Sequence, residues 1–81
     1  MVHYMKKTKM EIEKWILKNL KELDKNFPDS INLQDSFSDY GMTSAQSIIM
    51  IERLKDFLDK EININDLWRY STIEGFIDSL C

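Results

Sequence analysis

Three times in this chain a hydroxyl residue stands three positions ahead of a glutamate or glutamine. Thr8-Lys9-Met10-Glu11, Thr43-Ser44-Ala45-Gln46 and Ser71-Thr72-Ile73-Glu74 share this form. The hydroxyl accepts a hydrogen bond from the N–H three residues on, while the longer side chain reaches back to the cap N–H, so each tetrapeptide predicts a helix start. Behind each, core-type residues recur at three and four positions, the period of a helix with one buried face. The first run is Ile12, Trp15, Ile16, Leu20 and Leu23, with Lys14, Lys18, Lys21 and Glu22 on the outer face. The second is Ser47, Met50, Ile51, Leu54, Phe57 and Leu58, and the last is Ile73, Phe76, Ile77 and Leu80. Two glycines and one proline in 81 residues argue for helices over a turn-rich β fold.

The connections complete the reading. Phe27-Pro28-Asp29 ends the first helix, and a long connection runs from Lys25 to Met42, with Ile31, Leu33 and Phe37 as apolar anchors. Structureless loops of this length are uncommon in compact domains unless anchored or functional. Asp59-Lys60-Glu61 closes the second helix, Ile62–Asn65 reads as short and extended, and Asn65 is the expected cap of a brief helix over Asp66–Tyr70. The expected architecture is all-α: a small four-helix bundle with a long first loop and a short third helix. Residues 1–81 form one domain, with 1–7 a flexible terminus and 8–80 the bundle.

Most chemistry is excluded. His3 is the one histidine and lies near the amino terminus, so a Ser-His-Asp triad lacks its base. One Cys and one His do not make a zinc site. Asp35-Ser36-Phe37-Ser38-Asp39 fails as a calcium loop, having Phe37 third, Tyr40 where glycine belongs and Gln46 at the twelfth position. No metal site and no enzyme is expected. A lone Cys81 forms no internal disulfide, which favours a reducing compartment. No apolar stretch approaches the ~20 residues a bilayer requires, and no secretory signal is present, so the expected location is cytoplasmic and without a membrane. Residues 1–26 carry seven lysines against four acids, net +3, and residues 27–81 carry four basic against ten acidic groups, net −6. An acidic second half and a pI near 5.0 make nucleic acid a poor partner.

Ser44 is the exception to this blandness. It follows Gly41-Met42-Thr43 and opens the second helix, where dipole and unpaired N–H groups favour an anion such as a phosphodiester. Ser is also common at helix starts for capping alone. Ala45, Ile48 and Ile49 lie off the core stripe near Ser44. Either another element covers them, with Ile48 the one expected to be buried, or they form an apolar patch beside the serine.

From Ile12 to Leu80 the chain resembles an acyl or peptidyl carrier protein domain. Phe37-Ser38-Asp39-Tyr40-Gly41-Met42-Thr43-Ser44 resembles the family pattern of Phe, a short connection and Leu-Gly-hydrophobe-Asp-Ser. Leu67-Trp68-Arg69-Tyr70-Ser71-Thr72-Ile73-Glu74 resembles its second signature, an aromatic-containing run ending in Pro-Thr-Ile. The wording is closest to polyketide-type carriers and to carriers that work with fatty acyl-AMP ligases. The resemblance implies 4'-phosphopantetheine, from coenzyme A, attached to Ser44 by a phosphopantetheinyl transferase and carrying an acyl group as a thioester. It implies as partners an acyl-loading ligase or acyltransferase and polyketide synthase-type enzymes, met by a monomer through Thr43, Ala45, Ile49 and Glu52.

The departures are specific. Thr43 stands where the family has Asp, Ala45 where a larger apolar residue is common, Ile49 where fatty-acid carriers often have an acid, and Ser71 where proline is usual. Thr43 is also the best support for the rival reading, a carrier-like helical adaptor that binds partners without an arm. A third reading makes Ser44 a phosphorylation site in a regulatory domain. Cys81 reads as incidental, and Trp15 and Trp68 as core and interface filler.

Overall fold

The computed structural model describes residues 7–80, and the readings that fall on Met1–Lys6, including His3, and on Cys81 lie outside them. Four α-helices follow in order: α1 (Lys9–Leu23), α2 (Ser44–Leu58), α3 (Ile64–Arg69) and α4 (Ile73–Leu80), with a 3₁₀ helix over Phe37–Tyr40 inside the long loop. The all-α four-helix expectation holds. α1 packs on α2 and α4, and α3 bridges α2 and α4. Among the described residues, no helix is long and apolar enough to cross a membrane.

Two of the three expected capping boxes form in full. Thr8 accepts from the Glu11 N–H at 3.2 Å while Glu11 accepts from the Thr8 N–H at 3.1 Å. Thr43 and Gln46 exchange the same pair at α2, at 3.1 and 2.9 Å. The third does not form. The α4 cap is Thr72, whose hydroxyl accepts from the Gly75 N–H at 3.0 Å. Glu74 turns away from Ser71 because Lys9 and Gln34, each 3.0 Å distant, draw its carboxylate. The capping register thus moved one residue under tertiary competition.

Two further boundaries differ from expectation. α1 ends at Leu23, ahead of Pro28, because Asp24 is extended and its carboxylate accepts the Asn26 N–H at 2.9 Å, a local turn that competes with the helix. α3 starts at Ile64, capped by Asn63 rather than Asn65, with the Asn63 side chain accepting the Asn65 N–H at 2.9 Å. That register buries Leu67 to 1% exposure. Ile64 and Asn65 are therefore helical, not extended.

Helical spacing placed most of the core, though Trp15, Leu23 and Phe57 of the expected runs are only half-buried. Ile12, Ile16 and Leu20 of α1, Met50 and Leu54 of α2, and Ile73, Phe76 and Ile77 of α4 are all at most 2% exposed. Phe37 meets Phe76 edge to face, with centroids 5.7 Å apart, so the loop anchor reaches the middle of α4. Phe27 and Met42 are buried as well. Trp15 is half-buried and stacks on Phe57 at 5.0 Å, whereas Trp68 is exposed and fills no core. Lys7, placed in the terminus expected to be flexible, sits 4.9 Å from the centre of the Phe57 ring. Asn19 falls on the buried face of α1 and is satisfied: it donates to the Trp15 carbonyl at 3.0 Å and accepts from Arg53 at 3.4 Å. Lys21, expected on the outer face, is only half-exposed and pairs with Asp29.

Candidate functional site

The approach to Ser44 is built from local rules. Ser36 and Asp39 form a capping box on the 3₁₀ helix, with the Ser36 hydroxyl accepting at 3.2 Å and the Asp39 carboxylate accepting the Ser36 N–H at 2.8 Å. The shorter acid suits the tighter turn. Gly41 then takes φ 75°, a left-handed conformation that favours glycine. It donates to the Ser38 carbonyl at 3.0 Å and stops the 3₁₀ helix. Met42 is buried beneath the turn, so Thr43 arrives extended at the cap position and Ser44 becomes the first residue of α2.

A helix start leaves four N–H groups without intrahelical partners. The Thr43–Gln46 box satisfies those of Gln46 and Thr43, which leaves the N–H groups of Ser44 and Ala45 for an incoming anion. The first turn of α2 carries no acid, so no carboxylate neutralises the positive end of the helix dipole. Ser44 itself is exposed. Its carbonyl accepts the Ser47 hydroxyl at 2.7 Å, which satisfies the buried Ser47 and leaves the Ser44 hydroxyl outside that bond. An exposed nucleophile-type hydroxyl beside two unpaired donors fits a covalently attached phosphodiester.

The neighbouring residues expected to take part run from the start of α2 to its middle. Thr43, Ala45, Ile49 and Glu52 are all exposed, and Ala45, Ile49 and Glu52 repeat at helical spacing along one face. The Ile48 expectation is overturned: it is 55% exposed, more open than Ile49 at 42%, whereas Ile51, one turn further along α2, is buried. The apolar-patch reading of Ala45, Ile48 and Ile49 is the one the structure adopts. A shallow groove of about 220 Å³ runs beside it, lined by Ile48, Ile51, Glu52, Lys55, Ile62 and Ile64. At its rim Lys55 reaches Glu52 at 3.2 Å and Glu61 at 3.5 Å, and those carboxylates raise the Lys55 amine above its ordinary value. Among the described residues, no group of three or more His, Cys, Asp or Glu is placed to hold a metal.

Sequence reasoning missed the fastening of the loop. The Tyr40 hydroxyl accepts the Asn32 N–H at 2.7 Å and donates to the Asp35 carboxylate at 2.9 Å. The Asn32 bond favours the ionised phenol, but burial and the Asp35 charge outweigh it and hold Tyr40 above its ordinary value of 10.0. The main chain of the same loop holds α4: the Asp35 carbonyl accepts from Ile73 at 2.8 Å and the Leu33 carbonyl from Glu74 at 2.9 Å. A Ser-x-x-Asp pattern was the available signal for the 3₁₀ cap. No local signal announced the Tyr40 contacts, which depend on the fold of the loop.

A family model described as a phosphopantetheine attachment site matches residues 14–80 of the chain. No curated protein and no solved structure matches it.

Proposed function

The chain belongs to the phosphopantetheine attachment-site family, carriers rather than catalysts, and from that premise we propose that Ser44 is the residue that bears the arm. The carrying observation is the start of α2, where an exposed hydroxyl, two unpaired N–H groups and a carboxylate-free first turn coincide. Phosphopantetheine, when bound, supplies a thiol that holds an acyl group as a thioester. The chain supplies the hydroxyl oxygen, which loses its proton and forms the new phosphoester bond as the pyrophosphate link of coenzyme A breaks and its nucleotide half leaves; it also supplies a rigid helix end that orients that oxygen and a surface for enzymes to read. The chemistry of transfer belongs to the phosphopantetheinyl transferase.

In this reading Thr43, Ala45, Ile49 and Glu52 are the contacts of partner enzymes, and the pathway is polyketide-type or mixed. Support comes from the character of the surface: Ile48 and Ile49 present an apolar patch next to Ser44, suited to brief docking through small apolar contacts rather than through charge alone. The partners are an acyl-loading ligase or acyltransferase and the enzymes that elongate or use the acyl group. The carrier works as a monomer in the cytoplasm, in keeping with its lone Cys81 and acidic balance.

Intact mass after incubation with coenzyme A, magnesium and a broad-specificity transferase tests the assignment. The parent gains one phosphopantetheine and Ser44→Ala gains none. A folded parent that gains nothing with several transferases refutes it and favours the armless adaptor, whose partner binding survives Ser44→Ala.

A further inference from the structure

The segment that delivers Ser44 is tied down from one side by a single phenol. Tyr40 ends the 3₁₀ helix, and only Gly41, Met42 and Thr43 separate it from Ser44. Its hydroxyl bridges the Asn32 N–H at 2.7 Å and the Asp35 carboxylate at 2.9 Å, and its ring packs on buried Phe27 with centroids 5.6 Å apart. Asp35 is itself immobilised, because its carbonyl accepts the Ile73 N–H at the head of α4 at 2.8 Å. An unbroken series of contacts therefore runs from α4 through Asp35 and Tyr40 to the left-handed Gly41 and the start of α2. Gly41 is the soft point of that series, since a left-handed glycine readily adopts other conformations.

We propose that Tyr40 is a positioning residue for modification of Ser44, its hydroxyl latching the loop so that the turn at Gly41 holds Ser44 in the geometry a transferase accepts. The proposal rests on Ser44 being the modified residue. Tyr40 touches no reacting atom; it acts by keeping the competent arrangement populated. When only a fraction of molecules is competent, apparent affinity falls by that fraction while the bound complex reacts as before.

Tyr40→Phe keeps the ring contact with Phe27 and removes both hydroxyl bonds. Steady-state transfer of phosphopantetheine from coenzyme A then shows KM for the carrier raised, by up to about tenfold, with kcat retained, the ceiling being set by the loss of one or two modest hydrogen bonds. Asp35→Ala removes the acceptor while leaving the Ile73 bond to the Asp35 main chain, and gives a smaller rise of the same kind. Asp35→Asn keeps an acceptor oxygen and behaves as the parent. The Tyr40→Phe/Asp35→Ala pair is no worse than Tyr40→Phe, because the two residues act through one contact. Amide exchange of residues 42–46, read on the unmodified proteins, quickens in Tyr40→Phe. An unchanged KM in Tyr40→Phe, additive effects in the pair, or a fall in kcat alone overturns the latch while leaving Ser44 as the attachment residue. A parent that takes no arm overturns the Ser44 reading instead, and amide exchange then decides the latch by itself: unchanged exchange overturns it.

Discussion

Thr43→Ala separates the two jobs of the residue before Ser44. The substitution deletes the oxygen that accepts the Gln46 N–H at 3.1 Å, and it loosens the reciprocal bond in which Gln46 accepts the Thr43 N–H at 2.9 Å. Thr43 is exposed, so water partly replaces the lost partner and the cost stays at the ordinary value for a cap, about 1 kcal/mol. For a domain of this size that is a fall in Tm of roughly 4–8 °C, out of a total stability on the order of 4–12 kcal/mol. Thr43→Asp keeps an accepting oxygen and adds a charge at the positive end of α2, so it matches or exceeds the parent by about 0.3–1 kcal/mol at low salt. Urea titrations followed by circular dichroism, at low and high salt, measure both. The order expected is Asp at or above Thr and both above Ala, with the Asp advantage shrinking in salt. Equal midpoints for Ala and Thr would refute the claim that this box holds the start of α2. A destabilised Thr43→Asp would show that the dipole at this helix start does not favour an acid.

Phe76→Ala empties a fully buried site that touches Phe37, and costs about 3–5 kcal/mol; a smaller loss in a urea titration would mean the loop does not depend on that ring. Gly41→Ala meets no atom within 4 Å of its new Cβ, so its cost is the left-handed backbone alone, about 1 kcal/mol. Gly41→Asn recovers part of that loss, and equal midpoints for Ala and Asn count against a left-handed Gly41. The Glu74 carboxyl is held below its ordinary value of 4.5 chiefly by Lys9 and then by Gln34, and Glu11 is lowered by the Thr8 N–H. A depressed folded pKa gives stability that is present above the unfolded value and lost as pH falls through the folded one, so acid unfolding steepens below about pH 4.5. Glu74→Gln flattens that slope, which urea midpoints between pH 3 and 6 would detect; an unaltered slope means the Lys9 pair contributes nothing.

What the chain disclosed about itself follows range of interaction. α1 and α2 were legible because their caps are local and their core residues repeat at 3.6; Ile12, Ile16, Met50 and Leu54 needed nothing else. Where two local solutions were nearly equal, tertiary contacts chose. Asn63 prevailed over Asn65 in the register that buries Leu67, and Thr72 over Ser71 once Lys9 and Gln34 took Glu74. Ile48 was misjudged because periodicity tells which residues leave the core stripe but not whether a neighbouring element covers them. Ser44 was visible as a helix start, and the family pattern around it gave that start a meaning. The Tyr40 bridge had no signature, since Asn32 and Asp35 become its partners only when the loop closes.

The long loop has one more consequence, for cooperativity. Its carbonyls at Leu33 and Asp35 hold the first two amides of α4, and its Gln34 shares Glu74 with the first residue of α1. The first turn of α4 cannot fray without releasing the loop, and the loop cannot lift without exposing that turn. Segments more than thirty positions apart in sequence therefore open as one unit. Carrier domains work with a phosphopantetheinyl transferase and with acyl-handling enzymes. In the proposed reading, an enzyme that docks at Ser44 therefore bears on a loop that cannot yield without α4 yielding too.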